Sequence, residues 1–159
     1  MMNKIKSITI VSVVILLVSS CSYQNMNSKN QKQFNIQEFN IIGDTRTSFI
    51  IQKKIQRFSN ENSKNRIKLS VELNKNKSIH EKNIQNKVTK YSISLSANVK
   101  IIELNSTKEI RRTFTAKRIY DVADNYSTTV NNSKEANTAL IDIIVEEILD
   151  LLRIYYNRK

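Results

Sequence analysis

The stretch from Tyr91 to Ile101 constrains this chain more than any other. Tyr91, Ile93, Leu95, Ala97, Val99 and Ile101 alternate without a break with Ser92, Ser94, Ser96, Asn98 and Lys100. A two-residue period sends successive side chains to opposite sides of an extended backbone, so this segment reads as a strand with one buried and one wet face. Such a strand needs neighbours for its peptide groups and a second layer over its apolar face. Ile67, Leu69, Val71 and Leu73, interleaved with Lys68, Ser70, Glu72 and Asn74, supply a second strand. After a tight turn at Asn105-Ser106-Thr107-Lys108, Ile110, Phe114, Ala116 and Tyr120 share one face of a third, with Arg112 and Arg118 interrupting it. The short connection makes Tyr91–Leu104 and Glu109–Val122 a hairpin. Asn74 to Asn86 is polar, with repeated Asn-Lys pairs, and reads as a long mobile loop between strands.

Phe34-Asn35-Ile36 opens a short alternating strand, but the apolar set then moves to Phe39 and Ile41. That change of parity predicts a bulge or a strand end near Gln37-Glu38. Gly43-Asp44-Thr45 reads as a turn and a helix start, with Asp44 or Thr45 as N-cap. Phe49, Ile51, Ile55 and Phe58 predict a helix from about Arg46 to Phe58. Asn132 with Glu135 forms a capping-box pattern before a long amphipathic helix, from Ser133 to about Asn157. Its stripe is Ala136, Leu140, Ile144, Ile148, Leu152 and Tyr155, widened by Ile141, Val145 and Leu151. The order β-α-β-β-β-α predicts an α+β two-layer sandwich over residues 34–159. A four-stranded, mostly antiparallel sheet carries both helices on one face. The other face holds Lys68, Ser70, Ser92, Ser94, Ser96, Asn98, Thr113, Thr115 and Lys117. It suits either solvent or a hydrated polar wall of another protein.

A different signal precedes the domain. Lys4 and Lys6 lead an apolar run from Ile8 to Val18, and Val18-Ser19-Ser20 then brings in Cys21, the only cysteine. The run is too short for a spanning helix. This is the pattern of a bacterial lipoprotein signal, with residues 1–20 removed and Cys21 acylated as the first mature residue. A solitary cysteine has no internal disulfide partner, which lipidation accounts for. Several acyl chains, such as palmitate, would hold the protein on a membrane, where one chain binds only marginally. Ser22, rather than an aspartate, follows the cysteine, which points to the periplasmic face of the outer membrane. Residues 21–33 read as the lipidated end and a polar tether, reaching roughly 40 Å.

Loss of Lys4 and Lys6 with the signal lowers the formal net charge from +12 to +10. A basic body beside an acidic last helix favours an anionic partner. On this side of a membrane that means lipid headgroups or lipopolysaccharide phosphates, not nucleic acid. The abundance of Asn, Lys and Ile also fits an AT-rich genome, which makes the lysines less telling than the arginines. Catalytic equipment is sparse. His80 is the only histidine and lies in the polar Asn74–Asn86 stretch, Gly43 is the only glycine, and Cys21 is spoken for. Metal sites, a Ser-His-Asp arrangement and a phosphate-cradling glycine loop are therefore not expected. Asp142, Glu146 and Asp150 lie about a turn apart on the polar face of the last helix and read as solvated. The expectation is a protein that is not an enzyme and needs no cofactor.

Three stretches, with Cys21 and the element order, carry a resemblance. They are Tyr91-Ser92-Ile93-Ser94-Leu95-Ser96-Ala97-Asn98-Val99, Arg112-Thr113-Phe114-Thr115-Ala116-Lys117-Arg118-Ile119-Tyr120-Asp121-Val122, and Asp124-Asn125-Tyr126 leading into the last helix. Together they resemble the lipopolysaccharide-assembly lipoproteins, LptE, in their divergent alphaproteobacterial form. The chain departs from that pattern at Cys21-Ser22-Tyr23, where Cys-Gly-Phe is common, and in a last helix rich in Ile, Asp and Glu rather than Ala and Arg. The resemblance implies a plug and assembly partner inside an LptD-type outer-membrane β-barrel, in contact with lipopolysaccharide. Arg111, Arg112, Lys117 and Arg118 are the candidate cation cluster for its phosphates. The competing expectation is a free-standing periplasmic lipoprotein, such as an auxiliary subunit of a lipid-transport system or a secretin pilot protein.

Overall fold

A computed structural model describes residues 34–106 and 108–157. The signal segment, Cys21 and the tether lie outside the described residues. The elements run β1 (Asn35–Ile42), α1 (Thr45–Gln56), β2 (Arg66–Lys82), β3 (Val88–Glu103), β4 (Glu109–Asp121) and α2 (Tyr126–Asn157). The sheet order is β1-β2-β3-β4. β1 is parallel to β2, while β2–β3 and β3–β4 are antiparallel. This is the expected α+β sandwich, with a mixed sheet because the chain returns through α1 before entering β2.

The register sorts side chains into two layers. Leu69–Ile101–Ile110 and Val71–Val99–Arg112 are rows on the inner face, joined by Phe39 and Ile41 of β1. Ile67, Leu69, Val71, Leu95, Ala97, Val99 and Ile101 are buried there. The parity change in β1 is a bulge, as expected: the register slips between Ile36 and Glu38, which returns Phe39 to the inner face. α1 begins at Asp44, whose carboxylate accepts from the Thr47 backbone N–H at 2.9 Å and from its hydroxyl at 2.6 Å. Ile51 and Ile55 of α1 are wholly buried. α2 packs on β4 and β3 and also meets α1. It buries Ala136, Leu140, Ile141, Ile144, Val145, Ile148, Leu149, Leu152 and Tyr156. Burial of these side chains supplies the main driving force, about 1.5–3 kcal/mol each for the larger ones.

Two boundaries and one core residue differ from the expectation. β2 continues to Lys82, so Asn74–Lys82 is strand, and the connection to β3 is only residues 83–87. The reason is pairing: β3 offers ladder partners through Lys82↔Val88, and backbone hydrogen bonding is indifferent to the Asn and Lys side chains. α2 starts at Tyr126, not Ser133. Asn125 Oδ1 accepts from Ser127 N at 2.8 Å, Thr129 Oγ1 accepts from Ala123 N at 2.9 Å, and Asn132 Nδ2 donates to Asp121 O at 3.0 Å. These anchors hold a Ser/Thr/Asn-rich first stretch helical despite modest intrinsic preference. At the other end Tyr156, rather than Tyr155, enters the core beside Phe34, with ring centroids 6.2 Å apart.

Candidate functional site

The sheet face turned away from the helices is a polar surface built by regular structure. Lys68, Ser70 and Glu72 of β2 stand on it, with Ser92, Ser94, Ser96, Asn98 and Lys100 of β3 and Arg111, Thr113, Thr115 and Lys117 of β4. Cross-strand polar pairs tie it together. Thr113 Oγ1 donates to Asn98 Oδ1 at 2.9 Å, and the Ser96 and Thr115 hydroxyls are 3.0 Å apart. Lys68 pairs with Glu38 of β1 at 2.6 Å. Such pairs hold the register of a face that has no apolar pattern of its own.

An open groove of about 730 Å³ crosses all four strands on this side, lined among others by Asn40, Ser70, Glu72, Asn98, Lys100, Arg111 and Thr113. Its charges are partly balanced from within. Glu109 accepts from Arg111 and from Lys100 (3.1 Å for the latter). The Arg111 and Lys100 hydrogen bonds hold the Glu109 carboxyl below the usual range, so it stays ionised at neutral pH. Chemically the groove offers hydroxyls, amides and both signs of charge. It is suited to hydrated, many-point polar contact rather than to one deeply buried ligand.

The four candidate cations are separated by strand alternation. Arg111 and Lys117 project from the outer face, and Arg112 and Arg118 from the inner face, where β4 forms the edge. All four are exposed. Among the described residues Arg111 is in an ion pair, with Glu109, whereas Arg112, Lys117 and Arg118 have none. They form two pairs on opposite faces of one edge strand and not one cluster.

The outer half of β2 adds residues that the polar sequence pattern assigns to a loop. Lys77 Nζ lies 3.9 Å from the centroid of the Tyr91 ring and 5.5 Å from that of Tyr120. A cation over two aromatic faces is held electrostatically. The signal for this arrangement was present as alternation: Lys75, Lys77 and Ile79 keep the parity of Leu73. His80 is on β2 and exposed. Among the described residues no group of three or more His, Cys, Asp or Glu is placed to hold a metal ion, and no helix is long and apolar enough to cross a membrane.

The chain matches no protein-family model and no curated protein sequence. Solved structures do share its architecture. A minor lipoprotein from Acinetobacter baumannii superposes with a TM-score of 0.57 at 16% identity, covering 77% of this chain and 94% of that one. Rare lipoprotein B from Shewanella oneidensis superposes with a TM-score of 0.52 at 9% identity, covering 72% of this chain and 92% of that one. At these identities the likeness is one of fold.

Proposed function

We propose that this protein is an outer-membrane lipoprotein of the LptE type, acylated at Cys21. It acts without catalysis as plug and assembly partner of an LptD-type β-barrel in lipopolysaccharide transport. The observation that carries this reading is the outer sheet face. It is regular structure lined with hydroxyls, amides and partly balanced charges, on a fold shared with two lipoproteins. The lumen of a large barrel is polar and wet, so a partner that fills it needs many modest hydrogen bonds and little exposed apolar surface. The guanidinium groups of Arg112 and Arg118, which have no ion pair among the described residues, suit phosphates of a passing lipopolysaccharide.

The test is co-purification from mild detergent extracts of cells making the full chain. A near-stoichiometric complex with a large β-barrel is the expected result. Recovery as a free monomer would sink the plug reading and favour a free-standing periplasmic lipoprotein. Acylation is checked separately: radiolabelled palmitate enters the wild-type chain and not the Cys21→Ala variant.

A further inference from the structure

β1 covers only half of β2. Its pairing runs from Arg66 to Glu72, and at Gly43 the chain leaves the sheet for α1. Beyond that point β2 continues from Leu73 to Lys82 with β3 on one side and no strand among the described residues on the other. Every second residue of such an edge turns its N–H and C=O outward with no ladder partner. The edge is regular from Leu73 to Ile79, after which the register slips between Ile79 and Glu81.

Its chemistry is one-sided. Lys75, Lys77 and Lys82 are exposed, and among the described residues none has an ion pair, although the Lys77 ammonium rests over the Tyr91 and Tyr120 rings and Lys82 donates to Asn86 Oδ1 at 2.9 Å. Lys75 does help lower the pKa of Asp44, behind the hydrogen bonds from Thr47. The one acid of the segment, Glu81, is taken by Lys90 at 2.7 Å. Ile79 is 51% exposed on the same side of the strand as Lys75 and Lys77. Lysines in this density repel a second copy of the same edge, which disfavours self-pairing. They leave the edge open to a strand of opposite charge.

The geometry points to β-augmentation at this edge: an extended acidic segment of another protein adds alongside Lys75–Ile79, beyond the Gly43 contact with Leu73 and in line with β1. Backbone hydrogen bonds supply affinity, and the neighbouring side chains supply selection. On the inner face the incoming strand meets Lys75, Lys77 and Ile79 in turn. A parallel partner therefore carries acid-x-acid-x-apolar, and an antiparallel one the reverse, because side chains directly across a ladder sit about 4.5–5.5 Å apart. This surface is separate from the polar sheet face and does not depend on the barrel assignment.

The test is amide hydrogen exchange on the detergent-solubilised full chain with a synthetic probe, acetyl-Thr-Glu-Thr-Glu-Thr-Val-Thr-amide. Controls replace both Glu by Lys, or the Thr between them by Pro. The expected result is at least tenfold slower exchange within Leu73–Lys82 for the Glu peptide alone, with Glu109–Asp121 unchanged. Lys75→Glu with Lys77→Glu should abolish the effect. The neutral pair Lys75→Gln with Lys77→Gln, should the first misfold, should weaken binding about tenfold. No slowing at millimolar peptide, slowing at the β4 edge instead, or full binding by either lysine variant would overturn the proposal. So would binding to phosphatidylglycerol vesicles without any response to the Glu peptide, which would assign the lysines to a lipid surface.

Discussion

Gly43 and Leu73 touch where β1 leaves the sheet: a β-carbon added to Gly43 would fall 2.8 Å from the Leu73 β-carbon and 3.0 Å from the Leu73 carbonyl oxygen. Gly43 also has φ of +145°, a region side chains avoid. The contact lets the chain turn sharply under β2, which starts α1 and bares the β2 edge beyond Glu72. Gly43→Ala is therefore expected to destabilise the fold by about 1–3 kcal/mol. Urea unfolding measures this, and a shift under about 0.5 kcal/mol would mean the turn relaxes freely.

The same turn presents Asp44 as the α1 N-cap. The two Thr47 hydrogen bonds, side chain first and backbone second, hold the Asp44 carboxyl below its usual range. A carboxyl with a depressed folded pKa stabilises at pH above its unfolded value and loses that contribution as pH falls through the folded one. Asp44→Ala is expected to cost about 1 kcal/mol near neutrality, as caps do. The gap between the melting temperatures of wild type and variant should narrow below about pH 4, where unfolded aspartate protonates. A gap that stays constant to the lowest pH would show that the ionised carboxylate is not the capping species.

Much of this architecture was readable wherever apolar residues kept time. Ile36 against Phe39 announced the bulge, and the alternation from Tyr91 to Ile101 defined the central strand. Reading failed where structure is imposed by a partner. Asn74–Lys82 has one apolar residue, Ile79, and its extended form is dictated by β3 through the backbone ladder. Tyr126–Asn132 is helical because Ala123 and Asp121 hold it, which no local pattern reveals. The candidate cations show a third case. Nearness in sequence suggests one cluster, but period two sends Arg111 and Lys117 one way and Arg112 and Arg118 the other.

The stability of the helical layer rests on few side chains. Ile148 is wholly buried against the sheet, while its neighbour Glu147 is exposed. Ile148→Ala is expected to cost about 2–5 kcal/mol, the transfer loss plus the cavity left behind. Glu147→Ala should stay within about 0.5 kcal/mol. Chemical denaturation of the two single variants tests whether α2 is fixed in this rotation. Comparable effects at both positions would contradict the packing of this face.

The division of cations across β4 makes the proposed lipopolysaccharide contact testable by face. Arg111 already shares Glu109 with Lys100, so its charge is partly spent within the sheet. Arg112 and Arg118 have no such partner among the described residues and lie two rows on either side of the intervening Phe114–Ala116 segment. A phosphate gains more from an unpaired guanidinium than from one it must first strip from a carboxylate. Arg112→Ala with Arg118→Ala is thus expected to weaken lipopolysaccharide binding tenfold or more, about 1.4 kcal/mol. Arg111→Ala with Lys117→Ala should change it by less than about threefold. Binding of purified lipopolysaccharide by the two double variants, each checked for an unchanged melting temperature, decides between the faces. The reverse ranking would move the contact to the outer sheet face, and two unaffected variants would remove all four residues from lipopolysaccharide recognition.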